Sequence, residues 1–189
     1  DYSLYVENEE SGDYRTLLWK GVNGSDDAFA FNLNHKDPVM NEIQNDIRFR
    51  RAMSVAINRE EINDVLFYGQ ATPRQAAPNP EVSYYKEEWG TAYAEYDPGK
   101  ANSMLDEMGL KWDENHEYRL RSDGETLLIN MMINERYRST LALPELVKEY
   151  WGAVGVKVVI DVRDRNYYTS RVVNAEVDIS RWNLDATVE

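Results

Sequence analysis

Two periods of apolar residues divide this chain. Over residues 28–34, Phe29, Phe31 and Leu33 fall on one face and Asn32 and Asn34 on the other. Period two marks a strand with one buried side. Upstream, Leu17, Leu18 and Trp19 make a short apolar run, and residues 21–27 are dense in Gly, Asn, Ser and Asp. That stretch reads as loop, short strand and turn. From Asp46 the period changes. Phe49, Ala52, Met53, Ala56 and Ile57 recur at helical spacing behind Asp46, a good N-cap, with Arg48, Arg50 and Arg51 largely off the stripe. Asn58 with Glu61 three residues on restarts a helix through Ile62, Val65 and Leu66, and Gly69 ends it.

Residues 71–89 break both periods. Three prolines among several tyrosines describe an ordered, irregular crossing that is too aromatic for a flexible linker. Asp97-Pro98 opens another helix, with Ala101, Leu105 and Met108 buried and Gly109 at its end. The last third alternates between the two periods. Leu127, Ile129, Met131 and Ile133 form a strand face. Leu143, Leu146, Val147, Tyr150, Trp151 and Val154 form a helical stripe closed by Gly155. Residues 156–162 are a β-branched strand, Asn166 caps a short helix, and 177–182 is a further strand. In that strand Val177, Ile179 and Arg181 face away from Trp182, which shares its side with Asp178 and Ser180. Strand–helix–strand–helix–strand predicts an α/β (α+β) domain, with a mixed, partly parallel sheet and flanking helices. The expectation is one domain over residues 1–189.

Composition narrows the function. The 189 residues carry 34 acids against 21 bases, a net charge of −13. Phosphate and anionic lipid draw on clustered Lys and Arg, so nucleic acid is an unsuitable partner. No cysteine is present, which removes thiolate metal sites and cysteine nucleophiles. No apolar run approaches the roughly 18 residues of a membrane span. Asp1 is followed by no basic-then-apolar leader, so the chain reads as a processed or excised piece.

Catalytic chemistry is hard to find. His35 and His116 are far apart, both in loop-like contexts, and read as solvent-exposed. No nucleophile elbow, phosphate loop or EF-hand spacing occurs, so no catalytic or metal-ligating residue and no cofactor is assigned. A carboxylate pair for glycoside hydrolysis is the enzyme alternative, weakened because 34 acids make chance pairs common. The aromatics offer more. Trp182 ends a strand, and strand ends of open α/β sheets are where ligands bind. An aromatic face there suits a sugar ring or a peptide side chain as well as it suits core packing.

Several segments in order carry a resemblance. Phe31-Asn32 precedes Ile47-Arg48-Phe49-Arg50-Arg51-Ala52-Met53-Ser54-Val55-Ala56-Ile57-Asn58-Arg59-Glu60. Then come Gly69-Gln70-Ala71-Thr72-Pro73, Tyr96-Asp97-Pro98-Gly99-Lys100-Ala101 and Met108-Gly109-Leu110. Gly124, residues 154–158 and Trp182-Asn183-Leu184-Asp185 complete the set. This series resembles the family 5 extracellular solute-binding proteins of ABC transporters, the oligopeptide- and dipeptide-binding family.

The resemblance implies a two-lobed binder that encloses its ligand by hinge closure and hands it to a membrane permease. This chain would be most of the second lobe, with Asp1 and Glu189 close together where the lobes join. It implies a periplasmic or extracellular monomer, lipid-anchored through its parent and not an enzyme. In peptide-binding members the acid at the position of Asp185 pairs with the peptide α-ammonium, and the Trp at that of Trp182 lines the pocket. Asn32 completes the expected ligand-binding set. Asn183-Leu184 departs from the small residues usual between Trp and Asp. Sister members bind oligosaccharides or nickel, so a peptide is the first expectation and an oligosaccharide the alternative. The Arg48, Arg50 and Arg51 run is expected to pair with acids such as Asp46 or Glu60, with an anionic-ligand clamp as the alternative.

Overall fold

The computed structural model describes residues 2–19, 21 and 23–186, the last two as backbone. Four strands form one mixed sheet: β1 (Asn23–Phe31), β2 (Leu128–Asn134), β3 (Lys157–Arg163) and β4 (Ile179–Ala186). Their order across the sheet is β1-β4-β2-β3. β2 runs parallel to both β3 and β4, whereas β1 is antiparallel to β4. The described helices are α1 (Tyr2–Glu7), α2 (Glu9–Gly12), α3 (Pro38–Asn45), α4 (Ile47–Val55), α5 (Arg59–Phe67), α6 (Glu87–Thr91), α7 (Pro98–Glu107), α8 (Ala142–Ala153) and α9 (Arg165–Val173). A 3-10 turn, Glu135–Thr140, follows β2. The α/β architecture and partly parallel sheet agree with the sequence pattern.

The helical stripes found their partners. Phe49, Ala52, Met53, Ala101, Leu105, Val147 and Trp151 are buried in one core with Leu127, Ile129, Met131 and Ile133. That core closes one face of the sheet. Asp46 caps α4 by accepting the Arg48 N–H, and Asn58 caps α5 by accepting that of Glu61. Asp97 and Pro98 open α7 as expected.

Departures have physical reasons. α3 was not anticipated; Asp37 caps it, accepting the Val39 and Met40 N–H groups, and Pro38 sits in its first turn. Residues 23–27, read as turn, belong to β1 because they pair with β4 across an irregularity between Ser25 and Ala28. Gly24 is required there: a Cβ would lie 2.3 Å from the Ala77 carbonyl oxygen. The start of the chain forms α1 and α2 rather than a strand. Leu17, Leu18 and Trp19 stay exposed, since an apolar run becomes a strand only beside a neighbour. Val65 is exposed, not core. The cap of α9 is Asp164, whose carboxylate accepts the Asn166 and Tyr167 N–H groups. The expected closeness of Asp1 and Glu189 concerns residues outside those described.

The second face of the sheet is covered differently. α9 lies across it, where Tyr168 packs with Met132 and Val177, and Val172 and Trp182 close over them. Val177 therefore shares a cluster with Trp182 instead of facing away. β4 begins only at Ile179, so strand alternation does not reach Val177.

Candidate functional site

Because β2, β3 and β4 are parallel, their carboxyl ends meet at one edge. The chain leaving β2 turns to α8 on the large core, whereas that leaving β3 turns to α9 on the opposite face. Connections that part to opposite faces leave a crevice between strand ends, the usual ligand position in such sheets.

Trp182 does not end its strand, as the sequence pattern predicted, since β4 runs on beside β1 to Ala186; it lies just past the last β2 pair, Met132 to Ser180, and is half-buried. Its ring stacks on Tyr168, with centroids 5.8 Å apart and planes 20° off parallel, and meets Tyr137 edge-on at 6.1 Å. The Arg136 guanidinium lies over both the Trp182 and Tyr137 rings, at 4.9 and 4.8 Å. Tyr168 is fixed from below, its hydroxyl donating to the Arg181 carbonyl at 2.9 Å. Burial raises the pKa of that phenol.

Arg181 alternates with Trp182 and points into the protein. It is 1% exposed, and its Nε donates to Asp27 Oδ1 at 2.5 Å. Its other nitrogens donate to the Thr140 carbonyl and hydroxyl, at 3.0 and 2.9 Å, and its guanidinium faces the Tyr137 ring. This one side chain ties β4, β1 and the 3-10 turn together under the aromatic group. Asn134, buried at the end of β2, accepts the Arg136 backbone N–H on its Oδ1, while its Nδ2 has no partner. The buried Tyr137 hydroxyl also has none.

Of the expected site residues, Trp182 is at the edge. Asp185 lies in β4 three positions further on, and its side chain is outside the described residues. Asn32 is not brought to this edge. It pairs with Asp178 at the opposite end of β4, and its amide donates to the Ala175 and Val177 carbonyls at 3.0 and 2.7 Å. Its Oδ1 accepts the Asn34 N–H. Asn32 thus closes a chain junction, and the ligand role expected of it finds no support in this geometry.

Three further expectations meet the structure. His35 is not solvent-exposed: its side chain is 14% accessible and its Nε2 lies 2.7 Å from Asp178 Oδ1. Asp178 also accepts from the backbone and side chain of Asn130, so the pair pins a loop to the sheet. His116 is exposed and stacks on Trp112 at 4.2 Å. Among the arginines of α4, Arg48 pairs with Asp46, Arg50 donates to the Gln44 carbonyl, and Arg51 covers the Tyr93 ring; Glu60 is not a partner. Arg50 and Arg51 border an open groove of about 950 Å³, which Phe29, Phe31, Val147 and Trp151 also line.

Sequence reasoning missed Arg136, Tyr137 and Asn134 because the 3-10 turn has no apolar period. Its signal was the mixed Arg and Tyr run directly after a strand. Arg181 was seen only as a position on a strand face.

Comparison with known proteins decides the family. The family model described as bacterial extracellular solute-binding proteins, family 5, middle region, matches residues 5–188. This chain belongs to that family. The probable ABC transporter periplasmic-binding protein SapA of Escherichia coli is 27% identical over 179 residues, 91% of this chain and 28% of SapA. A structure of an oligopeptide-binding protein OppA is 45% identical, with a TM-score of 0.88, over 97% of this chain and 29% of that one. A structure of MelB from Agrobacterium fabrum in complex with stachyose shares the fold, with a TM-score of 0.68 at 18% identity, over 85% of this chain and 26% of that one. This chain therefore spans little more than a quarter of the length of such relatives.

Proposed function

We propose that this chain is most of the second lobe of a solute-binding protein of an ABC importer, which captures oligopeptides between two lobes and delivers them to the permease. The reading is of a single domain over residues 1–189 in a monomeric, periplasmic or extracellular parent with a lipid anchor, and without catalysis. The likeness to OppA carries it, at 45% identity over nearly the whole chain. The Trp-x-x-Asp segment at the carboxyl edge supports it: Trp182 offers an aromatic wall and Asp185 a carboxylate for the peptide α-ammonium.

One lobe supplies half a cleft. Closure excludes water and strengthens polar contacts, whereas an exposed ion pair is worth only about 0–1 kcal/mol. Halving the roughly −8.2 kcal/mol of a micromolar complex leaves millimolar binding. Calorimetry with oligopeptides should therefore find micromolar binding in the full-length protein and almost none in this chain alone. Asp185→Ala should cost the full-length protein about 2–5 kcal/mol for a peptide with a free amino terminus. Micromolar binding by the isolated chain would overturn the half-cleft reading.

The stacked Trp182–Tyr168 pair favours a second reading, an oligosaccharide, because sugar rings lie flat on such faces. Native mass spectrometry of the full-length protein taken from its producing cells would identify the ligand. Turnover of an offered peptide or oligosaccharide would replace both readings with a hydrolase.

A further inference from the structure

The large core is open along one side. The floor of the groove there, about 950 Å³ in volume, is apolar: Phe29 and Phe31 of β1, Phe67 of α5, and Leu143, Val147 and Trp151 of α8. Val147 and Trp151 are buried, whereas Phe29, Phe31 and Phe67 are only partly so. β1 is an edge strand, with β4 on one side and no strand on the other among the described residues. An open strand edge beside partly exposed aromatic rings is a surface that folded proteins normally cover. Phe29 and Phe31 pack on the large core, whereas Trp182 packs on the cluster beneath α9, so the groove and the candidate site lie on different faces.

The rim of the groove is positive. Arg48, Arg119, Arg121, Arg163, Arg171 and Arg181 each hold a carboxylate elsewhere in the protein. Arg50, Arg51, Arg59 and Arg74 line the groove, and among the described residues none of these four makes an ion pair. Arg50 donates to the Gln44 carbonyl, Arg51 covers the Tyr93 ring, and Arg59 donates to the Ser54 and Ala94 carbonyls. Burial draws the Arg59 pKa down to about 10, and the charge of Glu95 only partly offsets it. Arg74 donates to the Gly24 carbonyl at 2.6 Å, while its buried Nη1 has no partner. Asp26, Asp27 and Glu81 also line the groove, but Asp27 is held by Arg181. In a chain of net charge −13, four guanidinium groups without a carboxylate around one apolar floor leave charge to be matched.

Length and chain direction point to the occupant. This chain covers 28% of SapA and 29% of the OppA chain, so a parent of that kind supplies much further sequence. The end of β4 sets Ala186 beside Asn23, and Asn23 lines the groove. Chain continuing past β4 emerges at the mouth of the groove. We infer that the groove seats a segment of the parent protein that follows residue 189, an amphipathic and acid-bearing segment. It lays its apolar side on Phe29, Phe31 and Phe67 and pairs its carboxylates with the rim arginines, where a planar guanidinium engages a carboxylate through two parallel N–H bonds. The segment completes the large core and covers the free edge of β1. The inference rests on the reading of this chain as most of one lobe of a longer binder.

The test uses the full-length protein with photoreactive p-benzoylphenylalanine in place of Phe31 or of Phe67, and in place of Tyr167 on the other face as a control. Irradiation and mass spectrometry should join both groove positions, within one molecule, to peptides that follow residue 189 and carry more Asp and Glu than Lys and Arg. Tyr167 should give no such product. In the unmodified full-length protein, amides of residues 28–31 should exchange about as slowly as those of β2, at least about a hundredfold slower than in an unfolded chain. Crosslinks confined to residues 1–189, or reaching sequence before residue 1, a second copy or an added oligopeptide, would overturn the docking. Rapid exchange at residues 28–31 would do the same. A crosslinked segment of net positive charge would overturn the pairing with the arginines. Calorimetry of the same proteins with oligopeptides keeps the two readings apart. Peptide binding without the crosslink overturns the docking alone, and a crosslink without peptide binding overturns the peptide reading and leaves the docking in place.

Discussion

The two faces of the sheet are finished in opposite ways. Beneath α4, α7 and α8, side chains such as Phe49, Ile129, Met131 and Val147 are fully enclosed. Even the polar atom of Trp151 is matched, its Nε1 donating to the Met53 carbonyl at 2.9 Å. Beneath α9 only Met132, Tyr168 and Val177 form a small cluster. Trp182 there is only partly buried, and Tyr137, whose hydroxyl has no partner, meets it edge-on. The large face holds the fold together by enclosing its apolar side chains, although the Gln44 Nε2 and the Tyr150 hydroxyl there are also without partners. The smaller face encloses less and leaves aromatic contact area at Trp182 in reach of a ligand.

Substitutions can break or sharpen this contrast, and urea unfolding measures the part that concerns stability. The largest loss is expected for Trp151→Ala, at about 3–5 kcal/mol, because it removes a buried ring packed on Phe29 and Phe31 and strands the Met53 carbonyl. A loss below about 1 kcal/mol would mean that the large core is looser than its burial indicates.

Arg181→Met should come next, at about 3 kcal/mol. It leaves the Asp27 carboxylate beside a buried apolar side chain, and Asp27 is only 18% exposed. The double variant Arg181→Met, Asp27→Leu should recover much of that loss. Recovery would identify the pair as a device that fixes the 3-10 turn over the edge rather than a net source of stability.

Trp182→Ala should cost folding only about 1–2 kcal/mol, since the residue is only partly buried and packs on the smaller cluster. In the full-length protein it should weaken ligand binding proportionally more. An effect on stability as large as that of Trp151→Ala would dissolve the contrast and make Trp182 a core residue.

The smallest effect belongs to a surface charge. The Arg48 guanidinium, hydrogen-bonded to Asp46, holds that carboxyl below its usual pKa. A carboxylate depressed on folding stabilises fully above its unfolded value of about 3.9, and the contribution fades as pH falls through the lower folded value. Asn also accepts an N-cap bond, so Asp46→Asn should cost less than about 1 kcal/mol at neutral pH. The two proteins should converge in stability at the acid end of a pH series. A gap that persists there would mean the loss comes from cap geometry, not charge.

Local chemistry made much of the fold legible. Asp46, Asn58 and Asp97 announced helix starts because a capping side chain bonds to its own next turn and needs no distant partner. The apolar stripes of α4, α7 and α8 predicted their buried faces for the same local reason. Residues 23–27 were misread because turn-forming residues extend when a second strand offers hydrogen bonds, and that strand lies more than 150 residues away. His35 was misread likewise: its partner Asp178 is 143 residues distant.

The site divides along the same line. Sequence alone determined that the chain is acidic, cysteine-free and α/β, and that its ordered segments are those of the family 5 solute-binding proteins. It marked Trp182 as a candidate aromatic wall but ended its strand there, whereas β4 runs on to Ala186 because β1 pairs with it that far. Only the tertiary structure decided that Asn32 closes a junction, that Arg181 is buried against Asp27, and that Arg136 lies over Trp182. Each of those contacts joins residues that the chain keeps far apart. The energy of a buried charge or a stacked ring depends on what surrounds it, and the order of strands in the sheet sets those surroundings.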